Sequence, residues 1–141
     1  MQQQTTSPKP GRDGTCLIVE DSEFDREKLR RVLARAYGGM RVEFAPSIEA
    51  ARRALESGDK ALILLDNNLP DGLGANFALE LACDDRHAET PVIMVSDWPS
   101  PFMWEKAASA GVLYVVNKSD FDARYIEAAL REFKGRKRRL M

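Results

Sequence analysis

The chain has no apolar stretch long enough to span a membrane, and its start, Met1-Gln2-Gln3-Gln4, lacks the pattern of a secretory signal. Cysteine is scarce: Cys16 and Cys83 stand far apart, without metal-type spacing. The first falls in an expected buried strand and the second in an expected helix, so both read as reduced core thiols, and the cytoplasm is the compartment that fits. Histidine is scarcer still. His87 alone sits in a polar loop, Asp84-Asp85-Arg86-His87, and reads as a surface residue. Neither sign of charge dominates, with 21 Lys and Arg against 22 Asp and Glu for a formal net charge of -1. Gly72-Leu73-Gly74 does not grow into a dinucleotide fingerprint, because Phe77 stands where a third glycine belongs. No internal repeat is found.

What is present is an ordinary globular composition, 44% hydrophobic and 30% charged over 141 residues, enough for one domain with a real core. Residues 1–13, rich in Gln, Thr, Ser, Pro and Gly, read as a disordered leader; 14–134 as the folded domain; 135–141 as a basic C-terminal tail. Within the domain, strands near 15–20, 41–45, 61–66, 91–96 and 112–117 alternate with helices near 23–37, 47–57, 73–83, 101–110 and 121–134. Ser22, Ser47, Ser100 and Asp120 are the expected helix caps, and Gly38-Gly39, Gly58 and Gly111 the expected stops. The first, third and fourth strands are apolar throughout, as when helices cover both faces of a parallel sheet. The second, Arg41-Val42-Glu43-Phe44, alternates and suits an edge. The expectation is an α/β fold: a doubly wound, five-stranded parallel sheet of βα units.

Chemistry-bearing residues follow these strands: Glu20-Asp21, Asp66, Ser96 and Lys118. In an open parallel sheet the carboxyl ends of the strands meet along one edge, where ligands bind. Three carboxylates gathered there repel one another, and such a cluster wants a hard divalent cation. Taken singly, each residue has a plainer reading. Asp66 before Asn67-Asn68-Leu69-Pro70-Asp71-Gly72 is turn chemistry, Ser96 a cap, Lys118 a solvated charge, and Glu20-Asp21 a pair favouring a helix N-terminus. All four plain readings must hold at once for the site to vanish.

Leu17-Ile18-Val19-Glu20-Asp21-Ser22, Leu65-Asp66-Asn67-Asn68-Leu69-Pro70-Asp71-Gly72, Pro91-Val92-Ile93-Met94-Val95-Ser96 and Asn117-Lys118 together resemble the receiver domains of two-component response regulators, of the single-domain, chemotaxis-regulator type. The resemblance covers residues 14 to 134. It implies a flavodoxin-like (βα)5 sheet of strand order 2-1-3-4-5, and phosphoryl acceptance on Asp66 from a histidine kinase or histidine phosphotransfer protein. It further implies Mg²⁺ (or Mn²⁺) held by Asp21, Asp66 and the backbone carbonyl of Asn68, with Glu20 acting through water. Lys118 and Ser96 would meet the phosphoryl oxygens. Catalysis in a strict sense is not implied: the domain would be a phosphoacceptor switching the binding of a downstream protein target, and a phosphorylation-dependent homodimer is compatible with it.

Three departures stand out. Asp97 and Trp98 follow Ser96, where relatives carry a small residue; the acid is expected to repel a phosphoryl donor and the indole to screen the site from water. Ser119 replaces a proline after Lys118, removing a cis bond and leaving the lysine less fixed. Val115 stands where an aromatic switch residue belongs, with Tyr114 one place earlier. Trp98, Phe102 and Trp104 are expected to pack around the fourth helix. The end of the sequence, with Arg136, Lys137, Arg138 and Arg139, offers an anion-binding run, and no DNA-binding domain or membrane span is expected. Two other functional readings compete: a degenerate receiver binding proteins or anions without phosphorylation, and a phosphatase with an aspartate nucleophile. The latter is weak, because Asn68 occupies the place of its acid/base aspartate.

Overall fold

The computed structural model describes residues 14–140, with side chains through Glu132. The expected leader at 1–13, and the side chains of Arg136, Lys137, Arg138 and Arg139, lie outside the described residues. Strands β1 (Thr15–Val19), β2 (Arg41–Ala45) and β3 (Leu62–Leu65) alternate with helices α1 (Glu23–Ala36) and α2 (Ile48–Glu56). A two-residue hairpin, β4 (Asn68–Leu69) and β5 (Gly72–Leu73), leads into α3 (Gly74–Ala82). Then follow β6 (Val92–Ser96), α4 (Pro101–Ser109), β7 (Tyr114–Asn117) and α5 (Ala123–Leu140).

The large sheet has the order β2-β1-β3-β6-β7, and every pairing in it is parallel. With the hairpin set aside this is the expected 2-1-3-4-5, with the alternating strand at an edge. Apolar runs on the inner strands explain the arrangement, because alternate side chains feed two separate cores. Leu17, Val19, Ile63, Leu65 and Met94 pack on one side with residues of α2, α3 and α4. Cys16, Ile18, Leu62, Leu64, Ile93 and Val95 pack on the other with residues of α1 and α5. Strand sides that are both buried must be apolar at every position.

Serine caps open three helices as expected. Ser22, Ser47 and Ser100 each accept the backbone N–H three residues on, and Pro101 occupies the first turn of α4. The fifth cap differs. The helix starts at Ala123, and it is Asp122, not Asp120, whose carboxylate accepts a hydrogen bond from the Arg124 N–H. The helix α5 also runs on through residues expected as a tail, consistent with the good helix propensity of Lys, Arg and Leu.

Three further expectations need correcting. His87 is buried, not on the surface, and sits in a tight turn closed by its N–H on the Asp84 carbonyl. Cys83 is exposed at the end of α3, so only Cys16 is a core thiol. Trp98, Phe102 and Trp104 are 87%, 69% and 51% exposed and pack far less around α4 than expected. Among the described residues no helix is long and apolar enough to cross a membrane.

Candidate phosphoacceptor pocket

The chain turns from β1 to β2 on one side and from β3 to β6 on the other, which opens a crevice at the carboxyl ends of β1 and β3. Glu20 and Asp66 sit at its two lips. Their backbone N–H groups continue the ladder, Glu20 to the Ala45 carbonyl and Asp66 to the Val19 carbonyl, each at 3.0 Å. Both side chains are buried beneath the crevice, with Asp21 exposed above them. One carboxylate oxygen from each of Glu20, Asp21 and Asp66 lies within 4.8 Å of the others.

Close packing behind Asp66 keeps its backbone in place. A Cβ added to Gly74 would overlap the carbonyl oxygen of Asp66, so only glycine lets α3 start there. The segment between them is pinned by Asn67, whose carbonyl accepts the Gly74 N–H at 2.8 Å and whose Oδ1 accepts the Ala75 N–H at 2.9 Å. Asn68 follows on β4, paired with Leu73 across the hairpin.

Lys118 enters from the loop after β7, its backbone N–H bound to the Ser96 carbonyl at 2.9 Å. Its ammonium stands 2.9 Å from Glu20 Oε1, 2.7 Å from Asp25 Oδ2, 3.7 Å from Asp66 Oδ2 and 3.9 Å from Asp97 Oδ2. Asp25, on the first turn of α1, has no counterpart among the sequence-derived candidates. Ser96 closes β6, buried, at the end of the strand beside β3. Glu20, Asp21, Asp66 and Lys118 thus meet at one sheet edge, and Asp97 is drawn in with them.

Electrostatics follow from burial. Loss of water pushes the Glu20 carboxyl up to about 7, against the opposing pull of Lys118. Burial raises Asp66 as well, with Lys118 opposing. Burial alone would lower Lys118, but Asp25, Glu20 and Asp66 outweigh it and hold the ammonium above its ordinary value. Glu20 Oε1 is buried and has no partner beyond its ion pair with the Lys118 ammonium. A buried, poorly satisfied oxygen beside two further carboxylates fits a hard divalent cation.

Expected modulators behave unequally. The Asp97 side chain, 61% exposed, reaches the pocket, but the Trp98 indole stands in solvent and does not cover it. Among the described residues there is no cis peptide bond, as Ser119 implied. Lys118 is nonetheless well held, through its carboxylate partners and through Asn117. That side chain donates to the Asp97 carbonyl at 2.7 Å and accepts the Ser119 N–H at 2.9 Å. Val115 is buried toward α4, while Tyr114 faces the opposite core and stacks edge-on with Tyr125.

The family model for the response regulator receiver domain matches residues 16–131. No curated protein matches the chain. Among solved structures, the chain is similar to a CheY-like response regulator receiver domain protein from Methanospirillum hungatei JF-1, with 22% identity, a TM-score of 0.75, and coverage of 87% of this chain and 98% of that one. The Mn²⁺-bound form of the response regulator Rcp1 is similar at 21% identity and TM-score 0.68, covering 86% of this chain and 89% of that one. The phosphorylated cyanobacterial phytochrome response regulator RcpA gives 22% and 0.69, with the same coverages of 86% and 89%.

Proposed function

The chain belongs to the response regulator receiver domain family, phosphoacceptor signalling domains of two-component systems, and from that premise we propose that Asp66 accepts a phosphoryl group from a histidine kinase or histidine phosphotransfer protein. The gathering of the Glu20, Asp21 and Asp66 carboxylates within 4.8 Å, with an ammonium 3.7 Å from Asp66, carries this reading.

In the proposed reaction an Asp66 carboxylate oxygen attacks the phosphorus, the phosphorus–nitrogen bond of the donor imidazole breaks, and its electron pair leaves with the ring. Glu20, Asp21, Asp66 and the Asn68 carbonyl would hold Mg²⁺ or Mn²⁺, which supplies positive charge to the phosphoryl oxygens when bound. The Mn²⁺-bound form of Rcp1, a similar structure, agrees with that choice. Lys118 neutralises a second phosphoryl oxygen and Ser96 offers a hydroxyl donor to a third. The phosphorylated domain then changes its affinity for a downstream protein.

Incubation with acetyl phosphate and Mg²⁺, followed by intact mass, tests the proposal. A gain of one phosphoryl group that disappears in Asp66→Asn is the expected result. No gain in the wild-type protein, with Mg²⁺ shown to be bound, would overturn it.

A further inference from the structure

The Lys118 ammonium is held by two carboxylates, Asp25 Oδ2 at 2.7 Å and Glu20 Oε1 at 2.9 Å, and not by the acceptor carboxylate. Asp66 Oδ2 lies 3.7 Å away, beyond hydrogen-bond reach. We propose that Asp25 is a positioning residue that holds Lys118 back from Asp66, slowing phosphoryl uptake while limiting how strongly the ammonium competes with the divalent cation for the carboxylates. This rests on Asp66 being the acceptor.

Simpler explanations for Asp25 fail on geometry. It is the third residue of α1, where an acid commonly reaches back to the cap residue's N–H. That N–H is already taken, because Ser22 donates to Glu20 Oε2 at 3.0 Å. Lys28, one turn along on the same helix, is an available partner, yet its ammonium lies 5.6 Å from the centre of the Phe24 ring. Asp25 instead turns inward: its side chain is 22% exposed and that of Lys118 is 10% exposed, so the pair is partly shielded from water. An ion pair so placed keeps more of its strength than one in open solvent.

Phosphoryl transfer must draw the ammonium toward the new oxygens and out of this bond. Removing the Asp25 charge leaves Lys118 to Glu20, already 2.9 Å away, and frees it to close the 3.7 Å gap to Asp66 in advance. Uptake then speeds up, and the freed ammonium competes with the cation for the same carboxylates. The two effects have opposite signs, which mere loosening of α1 would not produce.

Two measurements on Asp25→Asn test the idea, with Asp25→Glu as the charge-retaining control. One is the Mg²⁺ dissociation constant by calorimetry; the other is the rate of mass gain from acetyl phosphate at saturating Mg²⁺. The expected result is uptake faster by about fivefold and Mg²⁺ binding weaker by a similar factor, the size of effect a partly shielded ion pair supports, with Asp25→Glu close to wild type. Unchanged Mg²⁺ affinity, or a change of both quantities in the same direction, would overturn the proposal. If even the wild-type protein takes up no phosphoryl group, the acceptor reading fails, and the calorimetric arm alone decides the role of Asp25.

Discussion

Asp71 caps a helix to which it does not belong: its Oδ1 accepts the backbone N–H of Ile48, the first residue of α2, at 2.9 Å. Its second oxygen takes the Glu49 N–H at 3.0 Å. The β4–β5 hairpin that carries Asn68 is thereby tied to a helix on the far side of the crevice. These N–H groups hold the Asp71 carboxyl below its ordinary 3.8. A lowered value means the cap contributes fully above that ordinary value and is lost as pH falls through the lowered one. Asp71→Ala should therefore melt lower than wild type at neutral pH, with the two converging in acid. Its Mg²⁺ affinity should also fall, as the Asn68 carbonyl loses its support.

Gly74 offers a sharper test of how Asp66 is held. Any side chain there meets the Asp66 backbone, which cannot swing aside as a flexible side chain would. Gly74→Ala is expected to cost about 1–3 kcal/mol of stability, the usual penalty for overpacking a close contact. Because the displaced group carries the acceptor, phosphoryl uptake should fall even at temperatures where the variant is folded. Chemical denaturation and intact mass on the same sample separate the two losses.

Metal-free stability should depend on pH in an unusual direction for a carboxylate. Glu20 is raised to about 7 when folded, against an ordinary 4.5. The folded state therefore keeps a proton that the unfolded state has released, and the contribution of Glu20 to stability is greatest below about pH 4.5. That contribution declines as pH rises to about 7 and is level beyond. Saturating Mg²⁺ should flatten the profile at its upper end, because the cation replaces the proton in offsetting buried charge. Glu20→Gln should flatten it without Mg²⁺ and bind the cation weakly. Thermal melts from pH 5 to 8, with and without Mg²⁺, check all three.

Strand ends were readable because buried parallel strands leave a local trace: four or five apolar residues in a row, then an abrupt acid, serine or lysine. Glu20, Asp66, Ser96 and Lys118 carry that trace, and the sheet order follows from which run alternates. Asp25 and Asp71 carry none. Each has a sufficient local excuse, a helix first turn and a turn before glycine, while its real partner lies 93 or 23 positions away. The hairpin β4–β5 was hidden for a similar reason, since two-residue strands have no period to detect. His87 and Trp98 depart from expectation in opposite senses, because polarity of the neighbouring residues says little about whether one ring is buried or exposed. Sequence neighbours set propensity; burial is decided by elements that arrive later in the chain.

Asp97 tests whether charge near the pocket acts through space or through contact. Its carboxylate lies 3.9 Å from the Lys118 ammonium, yet the side chain is 61% exposed and makes no hydrogen bond to it. An exposed pair of this kind is weak and yields to salt, whereas its negative charge still meets every anionic phosphoryl donor approaching the crevice. Asp97→Ala should thus speed phosphoryl uptake from acetyl phosphate by about twofold to threefold at low ionic strength, and the gain should fade toward wild type near 1 M salt, where screening acts within about 3 Å. The gain from Asp25→Asn should persist there, since that pair is partly buried and works through a direct bond. Identical salt dependence in the two variants would mean that both acids act only as part of a diffuse negative field, and that neither holds Lys118 in place.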